Sequence, residues 1–341
     1  MNRLARDQHR SEPTGFGGPF DLADETAYRQ WRAAKLRDYP TSVDALRVAI
    51  ADPAALSAAE HAALLARCAQ ANMAVYRLGE GAGRAAARDK TVIRRLGRQL
   101  GLERLDNNLC ADEDGITSLQ VVAEGRHGGY IPYTNRALNW HTDGYYNRPE
   151  QTIRAIVMHC VQPAAEGGEN GLFDHELAYI QLRDEDPELI AALMRPDAMT
   201  IPPNTEGGEE LRGVQSGPVF SIEPGTGNLH MRYTARLRNI AWKEDAPTRK
   251  AARRLRELLG DGGPGVFAYR LAAGEGVVSN NVLHSRGAFK DGPRAMRLLY
   301  RARYYDRIAG TDLNDLNDRY ANAIANAIPN AILEDPDAVA Q

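Results

Sequence analysis

The stretch Asn139-Trp140-His141-Thr142-Asp143-Gly144-Tyr145-Tyr146 places an imidazole and a carboxylate two residues apart. In extended backbone, side chains at i and i+2 point to the same face, so both groups can converge on one ion. A second imidazole would complete a two-histidine, one-carboxylate triad, which leaves positions on the metal open for other ligands. Alone, the pair carries little weight, because a turn with a capping Asp and a stacked His is spelled the same way. The stretch therefore sets two questions: which residue supplies the third ligand, and which scaffold brings it there.

Working outward, the texture from about residue 108 is that of strands. Apolar-alternating runs at Thr117 to Ala123, Ile153 to Val161, Pro218 to Ile222, Val266 to Tyr269, Gly276 to Val282 and Arg297 to Tyr305 are separated by Gly, Pro and Asn. That spacing predicts a sandwich or barrel. Residues 1–20 read as irregular, and residues 21–105 mostly as helix. Thr26 to Leu36 is one helix, with Trp31 as its anchor. Ser57-Ala58-Ala59-Glu60 has the form of a capping box. Ala74 to Leu78 reads as a short strand, and Thr91 to Leu100 as a helix closed by Gly101. Within the strand-rich part, Leu177 to Met194 predicts a helix broken at Asp186-Pro187, and residues 247–259 predict another. Residues 196–216, rich in Pro, Gly and Glu, read as a loop or lid. The expected organisation is an N-terminal helical layer over 1–105 and a catalytic core over 106–310 with an insertion at about 174–265. A tail over 311–341 reads as a helix or an unstructured end, and the whole forms one integrated domain.

The chain has 341 residues, 43% hydrophobic and 26% charged, with a formal net charge of −3. Such a balance gives no reason to expect a nucleic-acid or anionic-membrane surface. Three dispersed cysteines, Cys68, Cys110 and Cys160, suit neither a disulfide framework nor a cysteine zinc site. No run is apolar enough to span a membrane, and the N-terminus has no secretory apolar region. A reducing cytoplasm fits best, and the charge balance favours a small molecule over a nucleic acid as the ligand.

Eight histidines compete for the third position. His9 and His61 read as solvated, and His159 as a structural residue on a strand. His175 and His230 are live competitors. His284 stands out because it ends the apolar run Asn280-Asn281-Val282-Leu283 and precedes a turn. In Arg297-Leu298-Leu299-Tyr300-Arg301-Ala302-Arg303-Tyr304-Tyr305, strand periodicity puts Arg297, Leu299, Arg301 and Arg303 on one face. Either those arginines are in water, or they point into a barrel, where a buried guanidinium needs an anion. A carboxylate gripped through two parallel hydrogen bonds would serve.

His141-Thr142-Asp143, Gly167-Gly168-Glu169-Asn170, His284-Ser285-Arg286, then Arg297 and Arg301 together resemble the TauD/TfdA family of Fe(II)- and 2-oxoglutarate-dependent dioxygenases. The stretches around Met231-Arg232-Tyr233 and Asn281 to His284 are also similar to its glutarate hydroxylase branch. The resemblance implies an α+β fold built on a double-stranded β-helix (jelly-roll, cupin-like) core flanked by helices. It implies that His141, Asp143 and His284 ligate Fe(II), and that Arg297 binds the distal carboxylate of 2-oxoglutarate. Arg301 would serve cosubstrate or anionic substrate, and Arg286 would approach the other carboxylate. Asn170 stands where the family often has Thr beside the cosubstrate. Tyr145 and Arg232 are candidate substrate contacts. O2 would be the third reactant, with succinate and CO2 released, and the assembly a homodimer or homotetramer. Asp143 argues for hydroxylation or desaturation, since halogenation needs a small residue in place of the carboxylate. Two rivals fit the triad alone: a non-catalytic jelly-roll binding protein, and a zinc-dependent hydrolase. The hydrolase leaves Arg297 and Arg301 without a role.

Overall fold

The computed structural model describes residues 17–79, 89–107, 112, 114–122, 130–206, 209–236, 240–260, 262–293 and 296–315. His9, His127, Cys110, Arg238, most of the irregular start and nearly all of the C-terminal tail lie outside the described residues. No described helix is long and apolar enough to cross a membrane.

Two sheets frame the molecule. The larger has six strands in the order Arg47–Ile50, Met73–Leu78, Glu275–Ser279, Ala155–Gln162, Leu298–Tyr304 and Thr117–Leu119. Its first pair is parallel, and the other pairings are antiparallel. The smaller is antiparallel, in the order Phe267–Tyr269, Asn170–Phe173, Leu283–Arg286 and Leu138–His141. Met158, Cys160, Val277 and Leu299 from the large sheet share one buried cluster with Leu172 and Phe267 from the small one. On the opposite face of the large sheet, Val157, Val278, Tyr300, Ala302 and Tyr304 pack with Leu64 and Cys68 of the Ala58–Ala71 helix and with Ile93 and Leu96 of the Thr91–Gln99 helix. Strand alternation thus sorts two cores onto the two faces, each buried aliphatic side chain contributing about 1.5–3 kcal/mol.

The N-terminal block supplies more than helices, because two of the six strands come from it. Its capping box forms as predicted: Ser57 Oγ accepts from the Glu60 amide, and Glu60 accepts from the Ser57 amide. Trp31 is buried on the Glu25–Leu36 helix, in a cluster with Phe20, Tyr28 and Tyr179. The helix break at Asp186-Pro187 is also real. Asp186 ends His175–Glu185 and caps Pro187–Leu193, its carboxylate accepting from the Glu188 amide, with Pro187 in the first turn where no amide is needed.

One expectation is corrected. The segment 196–216, expected as a loop or lid, is not a loop but carries a nested pair of hairpins. Met199–Ile201 pairs with Gln215–Gly217, and inside it Asn204–Glu206 pairs with Glu209–Arg212. Strands of three or four residues are too short to show an alternation, and Pro202-Pro203 hides their boundary.

Candidate metal centre

His141 is the last residue of its strand, and Asp143 lies in the turn that follows. The two groups therefore converge through the turn rather than through a shared strand face. Gly144 makes that turn possible. Its φ is +70°, and a Cβ there would sit 2.5 Å from Ile153 Cγ1. His284 lies directly across from His141 in the antiparallel pairing of Leu283–Arg286 with Leu138–His141. The two rings stand 4.2 Å apart between centroids. One ligand atom from each of His141, Asp143 and His284 falls within 4.8 Å of the others, and all three residues are buried.

The residues present fit a metal. His141 Nδ1 lies 2.9 Å from the Asn139 carbonyl, and His284 Nδ1 lies 2.9 Å from the Val282 carbonyl. A carbonyl can only accept, so both Nδ1 atoms carry the proton and both Nε2 lone pairs are free. Burial pushes the His141 imidazole down to about 3, with the neighbouring His284 adding to the effect. Burial also lowers His284. Burial would raise the Asp143 carboxyl, but the positive groups around it, Arg301 foremost, hold it well below the usual carboxylate range. Two neutral imidazoles and one carboxylate are the protonation states that metal binding requires. Asp143 Oδ1 accepts from Arg301 Nη1 at 2.9 Å, whereas buried Oδ2 has no hydrogen-bond partner.

A residue that sequence reasoning missed holds the Asp143 turn. Asn281 adopts φ +49°, a left-handed conformation that Asn tolerates better than most residues. Its Oδ1 accepts from the Asp143 amide at 2.8 Å, and its Nδ2 donates to the Asp143 carbonyl at 2.9 Å and the Ile153 carbonyl at 2.7 Å. The signal was the Asn280-Asn281 pair at the end of an apolar strand, where a left-handed turn residue fits.

The predicted arginines separate into different environments. Arg297 is buried beneath the Gly167-Gly168 turn, in a small cleft with Asn170 and Cys160. Among the described residues its guanidinium has no hydrogen-bond or ion-pair partner, only the Phe289 ring at 5.0 Å, and burial lowers its pKa. Gly168 borders Arg297, since a Cβ there would lie 3.6 Å from its Nε. Both glycines have positive φ, and a Cβ on Gly167 would lie 2.4 Å from the Ala288 carbonyl. Asn170 Nδ2 donates to the Tyr269 carbonyl at 3.3 Å. Arg301 is paired with the metal-ligand carboxylate. Arg303 pairs with Asp106 and donates to the Tyr146 hydroxyl.

Three expectations change on geometry. Arg286 directs its Nη atoms at the carbonyls of Ile131, Pro132, Thr134 and Arg136, so it braces that loop and keeps only Nε unpaired. Arg232 donates to the carbonyls of Tyr145, Met199, Pro218 and Gln215, which leaves its guanidinium no free edge for a substrate. Its role is to tie the Tyr145 turn to the 199–218 hairpin. His61 is not free in solvent, since its Nε2 lies 2.9 Å from the Gln99 carbonyl. His175 and His230 lie away from the triad, with His175 Nε2 3.2 Å from the Leu229 carbonyl. His159 is structural, its Nδ1 3.0 Å from the Tyr76 hydroxyl. Tyr145 is half-buried, edge-on to Tyr146 at 5.0 Å.

The family model described as "Taurine catabolism dioxygenase TauD, TfdA family" matches residues 36–302. The chain belongs to that family. That family is one of dioxygenases, a class whose cofactor and cosubstrates are Fe(II), 2-oxoglutarate and O2. Similar curated proteins include a uridine-5'-phosphate dioxygenase of Amycolatopsis sp, 32% identical over 188 residues, 52% of this chain and 64% of that protein. One of the same name from Streptomyces sp is 32% identical over 201 residues, 57% of this chain and 71% of that protein. The match thus spans just under two thirds of the Amycolatopsis protein's length. Solved structures of similar fold include an asparagine oxygenase in complex with Fe(II), 2S,3S-3-hydroxyasparagine and succinate, with TM-score 0.51 and 15% identity over 86% of each chain. Another is the non-heme iron oxygenase OrfP in complex with (3S)-hydroxy-L-Arg, with TM-score 0.53 and 15% identity over 74% of this chain and 81% of that one. This TauD/TfdA chain therefore holds a buried His-Asp-His cluster that could bind a metal, on a mixed helix-and-sheet frame.

Proposed function

We propose that the protein is an Fe(II)- and 2-oxoglutarate-dependent dioxygenase that hydroxylates a C–H bond of a small anionic substrate, with release of succinate and CO2. The observation that carries this reading is the buried His141–Asp143–His284 cluster, with Asp143 Oδ2 unpartnered and both Nδ1 atoms already hydrogen-bonded. The two sheets are, in this reading, the halves of a double-stranded β-helix, with the triad on the smaller half.

Iron with bound 2-oxoglutarate supplies the activation of O2 and the oxidation of the C–H bond. The chain supplies placement. His141 and His284 would present Nε2, and Asp143 would present Oδ2 while Arg301 neutralises Oδ1. Arg297, unpartnered in its cleft, would hold the distal carboxylate of 2-oxoglutarate, with Asn170 beside it. Buried walls keep bulk water from the cluster, which strengthens each of these charge contacts. A zinc hydrolase would use the same triad but leaves the unpaired Arg297 cleft unexplained. The names of the curated relatives favour a phosphate-bearing substrate among the small anions.

Anaerobic addition of Fe(II) and 2-oxoglutarate should produce a weak visible charge-transfer band that His141→Ala abolishes. Succinate release should then rise with one member of a panel of small anions that includes uridine 5'-phosphate. A folded protein that binds Fe(II) but shows no band and consumes no O2 would refute the reading.

A further inference from the structure

The Ala246–Gly260 helix carries five cations, and they divide by face. Lys250 and Arg254 are paired with Asp186 and Glu185, at 2.7 and 2.6 Å. Arg249, Arg253 and Arg256 lie at i, i+4 and i+7, which puts them on one other face. Arg253 and Arg256 have no ion-pair partner among the described residues. Arg249 meets only Glu244, at 3.3 Å, with both groups largely exposed.

These three arginines form one wall of a cavity of about 250 Å³. The opposite wall holds Tyr233, Ile240 and Trp242, and among the described residues no acidic side chain lines the space. Three exposed arginines line one cavity, two of them without an ion-pair partner among the described residues, and the planar forks of such groups match phosphate oxygens. Half-buried Trp242 offers an aromatic face beside them, with the buried Tyr233 ring tilted by 41° behind it at 6.4 Å between centroids. The cavity lining also reaches the segment paired with His141. Residues 233–235 run along the free edge of Leu138–His141. Thr234 lies across from His141, the Thr142 amide donates to the Tyr233 carbonyl, and the Ala235 amide donates to the Trp140 carbonyl. Thr234 is thus common to the cavity lining and to the strand pairing of a metal ligand.

We propose that this cavity is the anchoring subsite for the phosphate end of the substrate, an organic phosphate monoester carrying a flat ring. The proposal rests on the dioxygenase reading above and extends it to a substrate class. The arginine face recognises the phosphate, the aromatic wall takes the ring, and the 233–235 segment sets the distance to the metal.

The test is calorimetric titration of uridine 5'-phosphate, uridine and inorganic phosphate. It is run on metal-free protein and on protein loaded anaerobically with Fe(II) and 2-oxoglutarate, for the wild type and for the double variant Arg253→Gln/Arg256→Gln. The monophosphate is expected to bind at least tenfold more tightly than uridine or inorganic phosphate, and the double variant to lose at least tenfold of that affinity. The variant's circular dichroism and charge-transfer band should be unchanged, because the two side chains are exposed and unpaired. Equal affinity in variant and wild type overturns the proposal. So does a wild type that does not prefer the monophosphate to uridine, or that binds inorganic phosphate as tightly as the ester. Absence of the charge-transfer band fails the dioxygenase reading instead, and the metal-free titration still decides the subsite.

Discussion

Replacing Arg297 by Met separates a ligand-binding arginine from a scaffolding one. Met keeps most of the length and can still pack on Phe289, but it removes the charge. Without cosubstrate, the wild type buries a guanidinium that has no hydrogen-bond or ion-pair partner among the described residues. Burial without a hydrogen-bonding partner disfavours the charge, so the variant should be at least as stable as the wild type. The lowered pKa of Arg297 agrees in sign, since the folded environment disfavours its charged form. With 2-oxoglutarate the order should reverse. A bidentate grip is two charge-assisted hydrogen bonds at about 1.5–3 kcal/mol each, so affinity should fall on the order of a hundredfold or more. Denaturant unfolding with and without 2-oxoglutarate under anaerobic Fe(II) reads both effects. At a cosubstrate level of about 100 times the wild-type Kd, the wild type gains about 2.7 kcal/mol, and the variant should gain almost none. A variant less stable than wild type without 2-oxoglutarate, yet equally stabilised by it, would refute the argument and make Arg297 a packing residue.

Asn281→Ala and Asn281→Gly should both weaken Fe(II) binding tenfold or more, because each frees the Asp143 turn. Glycine should keep about 1 kcal/mol more stability, since it tolerates φ +49°. Metal titration and urea unfolding read the two separately, and wild-type metal affinity in both variants would rule out the positioning role. Gly144→Ala should cost about 2–5 kcal/mol, from the left-handed φ and the contact with Ile153, seen as a lower urea midpoint. Burial pushes the His230 imidazole down to about 3, whereas an unfolded histidine titrates at about 6.5. Between those values the unfolded chain holds a proton that the native state does not, so stability falls as the pH drops below about 6.5. His230→Gln should therefore flatten the acid side of the stability curve by up to about 1.4 kcal/mol per pH unit, and an unchanged slope would contradict it.

What the sequence made legible was local. His141 and Asp143 are two residues apart, the capping box spans four, and the break at Asp186-Pro187 is a dipeptide. The faces of the arginine strand follow from alternation over seven residues. What stayed hidden depends on partners far along the chain. Arg301 looks like any candidate anion clamp until its strand is set beside Asp143, and then the carboxylate claims it. Arg232 and Arg286 face backbone carbonyls, which every residue has and no motif spells. The Arg47–Ile50 strand is an edge of four residues directly after a short helix, too brief to separate from its helical surroundings.

Arg297 and Arg301 sit four positions apart on one extended segment, about 13 Å of backbone at about 3.3 Å per residue. One end reaches the cleft proposed for the distal carboxylate, and the other touches the carboxylate of the metal triad. A single strand thus works as a gauge block with a stop at each end. Arg301 is held by pairing on both sides, and Arg297 lies one residue before the paired segment, so a slide of the strand moves both. Selection for a five-carbon oxodiacid over its shorter and longer homologues would then reside in the spacing of one rigid element, rather than in the shape of a flexible pocket.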